Sequence, residues 1–270
     1  MRLKLVHFPL AGFLLSFPAA NGAIAISTDF STDLSGVTTS GGTNATAAYS
    51  TAGPGGSRAL AFTDTGSGQA QAQFSGATGA FNTASAGQSE LQIKFDFAAT
   101  AMTGDVNAAG VPRIIFGPST SAVTIAFGRS GPSADSQFIL YAIRGNGIGP
   151  VDVDPAPGNM LFHSFGDYST TAGNNSSGGY VTINISLLHG GTSVNVSATQ
   201  GGNTLFDGVL NGFTAHAMTE SNLNFRLATS TTNLSTTYLD NLLIQTIPEP
   251  SQALLAGGLG CLAFLRRRRA

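Results

Sequence analysis

The sequence contains no tryptophan, a single cysteine and few charged residues, which account for 10% of its 270 positions. The one thiol, Cys261, lies in an uncharged run near the C-terminus, so residues 26–246 can form neither a disulfide nor a cysteine metal site. Without tryptophan the chain also lacks the largest aromatic side chain for contact with apolar sugar faces. The stability of residues 26–246 must therefore come from packing.

The few charges are unevenly distributed. Residues 26–246 hold six lysine or arginine side chains against thirteen carboxylates, which gives a net charge near −7, although the whole chain carries only −2. Proteins that bind nucleic acid need clustered cations for the phosphates. The charge distribution therefore excludes DNA and RNA as partners.

The N-terminus has the pattern of a secretory signal peptide. Arg2 and Lys4 precede an apolar run over residues 8–17, and small residues follow over 20–25. We expect signal peptidase to remove residues 1–25, with cleavage after Ala23 or Ala25. A retained signal anchor is the alternative.

The C-terminus has three parts: Ile247-Pro248-Glu249-Pro250, an uncharged run over 251–265, and the four arginines Arg266, Arg267, Arg268 and Arg269. A helix over 251–265 is about 22 Å long, shorter than the ~30 Å hydrocarbon core, and spans it only with bilayer thinning or snorkelling. The arginines favour the cytoplasmic side, which places the preceding domain across the membrane. A buried core helix is the alternative.

These residues resemble the PEP-CTERM sorting signal, a tail also catalogued as the C-terminal domain of ice-binding proteins. The likeness rests on Pro248-Glu249-Pro250, on Gly257-Gly258-Leu259-Gly260 and on the arginine cluster, and covers less than a tenth of the chain. It implies processing by an exosortase, a membrane cysteine transpeptidase of bacteria that make exopolysaccharide. The protein is then expected at the cell surface, in the outer envelope or outside the cell, after a transient stay in the inner membrane. Exopolysaccharide is its candidate partner.

Between the two ends the pattern is that of β-strands. Residues 91–97 alternate apolar and polar side chains, which puts four large apolar groups on one face. The clearest hairpin joins 180–188 to 193–198 through His189-Gly190-Gly191-Thr192, where we expect glycines with positive φ. Further alternating segments are 69–74, 123–127, 138–143, 223–227 and 238–244. The sequence predicts an all-β, antiparallel two-sheet sandwich, a jelly roll, over residues 26–246.

Two further features bear on this sandwich. Residues 28–36 and 238–244 resemble the first and last strands of concanavalin-A-like or laminin-G-like sandwiches, which implies that the terminal strands pair. The low-complexity segments 38–57 and 169–179 are expected to form long surface loops or a frayed strand.

Calcium is the one cofactor for which the sequence offers ligands. Asp152 and Asp154 could supply two carboxylates, but Pro155 interrupts the spacing of a calcium loop, and a solvated loop is the favoured interpretation. Asp240-Asn241 could also supply oxygens, although such a pair more often caps a turn. We therefore predict no metal site and no cofactor.

No set of residues predicts catalysis. Glycoside hydrolysis needs two neighbouring carboxylates, and Glu90 and Glu220 stand alone in the sequence. His189-Gly190-Gly191 has no nucleophile elbow to accompany it. His163 and His216 are too far apart to suggest a metal pair. The sequence predicts that the protein is not an enzyme.

Two functions remain. The first is a structural or interaction protein of the cell surface or matrix. The alternative is a glycan-binding, lectin-like module, and a polysaccharide-active enzyme ranks third. Sugar sites often use aromatic platforms, for which the candidates are Tyr141, Phe162, Phe165, Tyr168 and Tyr180. Two coplanar exposed rings in one groove would favour the lectin-like alternative.

Overall fold

A computed structural model of the chain describes residues 24–30, 37–41, 45–64, 70–74, 88–102, 113–116, 123–131, 136–145, 160–169, 175–188, 191–213 and 235–248. Their strands are β1 (Ile24–Thr28), β2 (Val37–Ser40), β3 (Ala45–Ser50), β4 (Ala59–Asp64), β5 (Gln71–Phe74), β6 (Gln88–Met102), β7 (Arg113–Phe116), β8 (Val123–Arg129), β9 (Gln137–Arg144), β10 (Met160–Asp167), β11 (Val181–Leu188), β12 (Ser193–Gln200), β13 (Asn203–Asn211) and β14 (Ser235–Pro248). Within these ranges the only helical element is a short 3-10 turn at Pro54–Gly56. The all-β prediction is confirmed.

The described strands form three antiparallel sheets. The largest has eight strands in the order β13-β12-β11-β6-β14-β4-β3, with β1 also paired to β14. A second sheet has the order β10-β9-β8-β7, and β2 pairs with β5 in a small third sheet. Because β1 lies beside β14, the first and last described strands pair. Only Thr28 of the predicted first strand, 28–36, belongs to β1, and residues 31–36 lie outside the described ones.

The two larger sheets share one hydrophobic core. On β6, Leu91, Ile93, Phe95 and Phe97 all face this core, as the alternation over 91–97 predicts. The ring of Phe97 lies 4.6 Å from that of Phe127 on β8, and this contact joins the sheets. Burying one such side chain contributes about 1.5–3 kcal/mol, so the contact is a substantial part of the sandwich's stability.

The four-stranded sheet departs from the prediction of half-buried strands. Six consecutive residues of β8, 123–128, are buried, and so are five consecutive residues of β9, 138–142. Successive side chains of a strand point to opposite faces, so both faces of these strands are shielded from water. The apolar runs are therefore central strands with two packed faces, and the predicted solvent face is wrong.

A β-bulge interrupts β14. Asp240 pairs with Asp96 and Leu243 with Lys94, so β14 has one more residue than β6 over this interval. Asn241 accommodates the extra residue with φ of 49°. On its other side, β14 pairs with β4 before the bulge and with β1 after it. The bulge therefore lies where β14 changes partners.

The predicted hairpin between β11 and β12 is present. β11 and β12 pair in register from Thr182↔Thr199 to Leu187↔Val194. Gly191 is not among the residues with positive φ, and its N–H donates to the carbonyl of Leu188 at 3.0 Å. The expected positive φ is therefore wrong at Gly191. Gly190 and His189 lie outside the described residues.

The low-complexity segments are more ordered than expected. Residues 38–57 contain most of β2, all of β3 and the 3-10 turn, so the loop prediction is wrong for much of this segment. In 169–179, Asn175 and Ser177 are buried. β3 pairs with β4 along its whole length, from Ala45↔Asp64 to Ser50↔Ala59.

The described sheet extends beyond the predicted boundaries at both ends. Ile24 and Ala25 belong to β1, and Ile247 and Pro248 are the last residues of β14. All described residues fall in one compact unit, Gly22–Glu249. Several predicted features lie outside the described residues. They are most of the signal peptide, the segment 223–227, Glu249 and Pro250, the apolar run 251–265 and Arg266–Arg269. In the part of the chain that the structure describes, no helix is long and apolar enough to cross a membrane.

Candidate functional site

A shallow groove crosses the outer face of the eight-stranded sheet. On β6 the alternation that sends Ile93 to the core turns Gln92 and Lys94 outward. The groove encloses about 200 Å³. That is less than the ~300–1,000 Å³ of pockets that enclose a compact small molecule. Its lining residues are Gln92, Ile93, Lys94, Asn184, Ile185, Ser186, Asn195, Val196, Ser197, Asp207, Leu243 and Gln245.

Strand register arranges the outward side chains in parallel rows across the sheet. The Lys94 row runs over five adjacent strands and consists of Leu243, Lys94, Asn184, Ser197 and Asp207. With strands ~4.8 Å apart, Lys94 and Asp207 are separated by about 14 Å. The groove therefore has a long axis across the strands.

The Gln92 row lies on one side of the Lys94 row and consists of Gln245, Gln92, Ser186, Asn195 and Val209. Its side chains on β14, β6 and β11 are hydrogen-bonded. Gln245 donates to Gln92 at 2.9 Å, and Gln92 donates to Glu90 at 2.9 Å. Ser186 donates to the same carboxylate oxygen of Glu90 at 2.6 Å. The sheet satisfies these three side chains itself, so they form a fixed wall, whereas Asn195 on β12 is exposed and makes no described side-chain hydrogen bond.

The Asp96 row lies on the other side and is also internally bonded. Thr182 donates to Oδ1 of Asp96 at 2.6 Å, and the side chain of Asn241 donates to Oδ2 at 2.7 Å. Asp240, the cross-strand neighbour of Asp96, is buried, and its carboxylate accepts the backbone N–H of Asn241 at 2.8 Å. Burial raises the pKa of Asp240 to about 6, and the negative charges of Asp96 and Asp29 add to that shift.

The polar side chains of the Lys94 row are left unpaired. Within the described residues, Lys94, Asn184, Ser197 and Asp207 make no side-chain hydrogen bond or ion pair. Asn184 and Ser197 are also half-buried. Polar groups that the protein leaves without partners are donors and acceptors that a polar ligand can use. The row thus presents amide, hydroxyl, ammonium and carboxylate groups in one line.

The structure disperses the predicted aromatic platforms. Tyr141, only 1% exposed, and Tyr168 are buried, and Phe165 packs against the core. Phe162 is 42% exposed on β10, in the other sheet. Tyr180 is half-buried, and its hydroxyl is 2.8 Å from that of Ser57. No pair of exposed coplanar rings lines the groove among the described residues.

The remaining candidate residues do not assemble into a reactive or metal site. Glu90 is part of the groove wall, and His163 packs edge-on against Phe165 at 5.0 Å. In the described ranges, no three histidine, cysteine, aspartate or glutamate side chains are placed to hold a metal ion. Asp240-Asn241 lies in the bulge, so its predicted role as a turn cap is wrong. Asp152, Asp154, His189, His216 and Glu220 lie outside the described residues.

Sequence reasoning missed the groove because its residues look like ordinary solvent-facing positions. The polar residues of the Lys94 row come from four strands spread over more than a hundred residues: Lys94, Asn184, Ser197 and Asp207. The available signal was that uncharged side chains, mostly amides and hydroxyls, occupy the outward positions of 181–188 and 193–200. Only the strand register shows that these positions meet.

Comparison with known proteins shows similarity in structure. No family model and no curated protein matches the sequence. A lectin from Bauhinia forficata, solved with GalNAc, superposes with a TM-score of 0.47 at 10% identity, covering 84% of this chain and 99% of the lectin. A carbohydrate esterase of the Shiga toxin-encoding bacteriophage phi24B gives 0.46 at 17% identity, covering 84% and 99%. Arcelin-5, a lectin-like defense protein of Phaseolus vulgaris, gives 0.41 at 8% identity, covering 84% and 99%.

Proposed function

We propose that this protein is an exported structural or interaction protein of the cell surface or matrix, and that its sandwich, a jelly roll, holds polysaccharide in the groove. The Lys94 row is the observation that carries this proposal. Its unpaired polar groups lie in one line across the strands, between two walls whose side chains on β14, β6 and β11 are already hydrogen-bonded. A polymer rich in hydroxyl groups can accept hydrogen bonds from Lys94, donate to Asp207, and do both with Asn184 and Ser197.

The proposed role is binding without catalysis. The carboxylates that a glycosidase would use are engaged elsewhere. Both oxygens of Asp96 accept hydrogen bonds, Asp240 is buried, and one oxygen of Glu90 accepts two hydrogen bonds. Asp207 is the free carboxylate of the Lys94 row, and it has no partner acid in that row. Hydrolysis needs two carboxyl groups that flank one bond.

Affinity electrophoresis of the full chain in mild detergent tests this proposal, with dextran, hydroxyethylcellulose, galactomannan, alginate, polygalacturonate and chitosan each cast into a gel. The double variant Asn184→Ala with Ser197→Ala removes two hydrogen bonds of about 1 kcal/mol each, so its dissociation constant should rise about 30-fold. Asn203→Ala, an exposed amide on β13 outside the groove, is the matched control and should bind like the wild type. Equal retardation of all three proteins, or no retardation at all, would refute the proposal.

We further propose that the C-terminal residues direct export. Supporting this is the order of Pro248-Glu249-Pro250, the apolar run 251–265 and Arg266–Arg269, together with the signal-peptide pattern of residues 1–25. An exosortase would cleave near the motif after residues 251–265 have held the chain in the inner membrane. Signal peptidase would act on the N-terminal segment.

Mass mapping of the protein recovered from the envelope and medium of the producing cells tests the sorting proposal. The C-terminal peptide should end near Pro250. The variants Pro248→Ala with Glu249→Ala, and Glu249→Ala with Pro250→Ala, should stay folded and unprocessed. The second pair leaves β14 untouched, since that strand ends at Pro248. Normal cleavage of both variants would remove the basis for the sorting proposal.

A further inference from the structure

The charges around the groove limit which polysaccharide it can hold, an inference that rests on the proposed glycan binding. In the Lys94 row the two free charged groups are one ammonium, Lys94, and one carboxylate, Asp207. The formal charge of the free groups is therefore zero. Three engaged or buried carboxylates, Glu90, Asp96 and Asp240, lie in or beside the neighbouring rows.

A polyanion would meet an unfavourable field in this groove. Lys94 is the one cation among the described residues that line the groove or its two walls, and it faces four carboxylates. At physiological salt the screening length is about 8 Å, so the wall carboxylates act on anything seated in the Lys94 row. A chain of uronic acids would have to place one carboxylate per sugar into this field. A polycation would be attracted by these carboxylates but repelled by Lys94, so a cationic polymer is the competing ligand that the test below includes.

The lining also determines which part of a sugar is contacted. No aromatic ring lines the groove, so there is no platform for the apolar face of a pyranose. The half-buried amide of Asn184 and the hydroxyl of Ser197 instead offer donors and acceptors to the polar edge of a sugar. Over about 14 Å, from Lys94 to Asp207, such groups repeat at the strand spacing of ~4.8 Å. An extended chain can use them in succession.

We propose that the groove takes an uncharged polysaccharide, which lies extended across strands β6, β11, β12 and β13 and is bound through its hydroxyl-bearing edge by the Lys94 row. Lys94 donates to hydroxyl oxygens, Asp207 accepts from hydroxyl groups, and Asn184 and Ser197 do both.

The test compares polymers of different charge on the full chain in mild detergent. Dextran, hydroxyethylcellulose and galactomannan are the neutral probes, alginate and polygalacturonate the acidic ones, and chitosan the cationic one. At least one neutral polymer should bind, with a dissociation constant that changes less than about twofold between low and high salt, because no net charge is neutralised. Alginate and polygalacturonate should bind at least about tenfold more weakly.

Variants of Lys94 separate hydrogen bonding from charge. Lys94→Met removes the donors and should weaken neutral-polymer binding about tenfold, whereas Lys94→Arg keeps donors and charge and should stay within about twofold of wild type. Preferred binding of alginate, polygalacturonate or chitosan that Asn184→Ala with Ser197→Ala abolishes would overturn the neutral-ligand inference and leave the groove as a glycan site. Absence of binding to every polymer would overturn the groove's function itself.

Discussion

Two substitutions of Asn241 separate the contribution of its left-handed backbone from that of its side-chain hydrogen bond. Its backbone has φ of 49°, in the left-handed region, and its side chain donates to Asp96 at 2.7 Å. Asn241→Gly keeps the backbone conformation and loses the hydrogen bond. Asn241→Val loses the bond and also forces a β-branched residue into a conformation that such residues almost never adopt. Thr182→Val removes the second hydrogen bond to Asp96 without any change of backbone.

The magnitudes follow from these differences. One partly exposed hydrogen bond to a carboxylate is worth about 1 kcal/mol, so Thr182→Val should cost about that much. Asn241→Gly adds the conformational entropy of glycine in the unfolded chain and should cost about 1.5 kcal/mol. Asn241→Val adds left-handed strain of ~1–2 kcal/mol to the lost bond and should cost about 3 kcal/mol.

Thermal unfolding of the full chain in mild detergent, followed by circular dichroism, measures these costs. For a domain of this size 1 kcal/mol lowers Tm by about 2–4 °C, so Asn241→Val should lose about 6–12 °C and Asn241→Gly about half as much. Equal losses for glycine and valine would show that residue 241 is not left-handed in the native protein, and the bulge would then be wrong.

Three further predictions concern the core, pH and the N-terminus. Phe97→Ala, which removes the ring joining the two sheets, should cost about 3–5 kcal/mol in urea unfolding, whereas Phe162→Ala on the surface should cost less than about 0.5 kcal/mol. Burial raises the pKa of Asp240 in the folded protein to about 6, above the ordinary value of 3.8, so the unfolded chain loses this proton first and stability falls as pH rises from about 4 to 6. Asp240→Asn should abolish that loss, of the order of 1 kcal/mol once solvent screening is included, and should leave stability below pH 4 unchanged. Since β1 begins at Ile24, opposite Gln245, N-terminal sequencing of exported protein should find Ile24 first, and a start at Ile26 would mean that the first pair of β1 is dispensable.

The sequence predicted the strands best where each large apolar side chain faces a single core. Residues 91–97 fulfil that condition, and every one of the four predicted core positions of β6 is buried. The β11–β12 hairpin was also predictable, because a four-residue connection fixes the register of two alternating segments. Alternation failed on β8 and β9, where an unbroken apolar run is compatible with burial on both faces and the sequence cannot show what packs on the second one.

Strand β14 shows why the site was harder to predict than the fold. Strict alternation over 238–244 puts Tyr238, Asp240, Leu242 and Ile244 on one face. In the structure Leu242 and Ile244 face the core, while Tyr238 and Asp240 lie on the opposite face, because the bulge adds one residue between them. Asp240-Asn241 was the available signal, since asparagine tolerates the left-handed conformation that a bulge can require. Without the register, however, that dipeptide predicts a turn equally well.

The same bulge connects the core to the proposed binding groove. By shifting the alternation of β14 it sends Leu242 and Ile244 inward, and it thereby turns Leu243 and Gln245 outward into the groove. Gln245 then donates to Gln92 and completes one wall, and Asn241 donates to Asp96 and completes the other. Residues of β14 therefore supply a hydrogen bond to each wall. The free donors and acceptors of the Lys94 row belong to the other strands, because the β14 member of that row is Leu243. A single extra residue thus supports the packing of the sandwich and also leaves one row of polar side chains unpaired for a ligand.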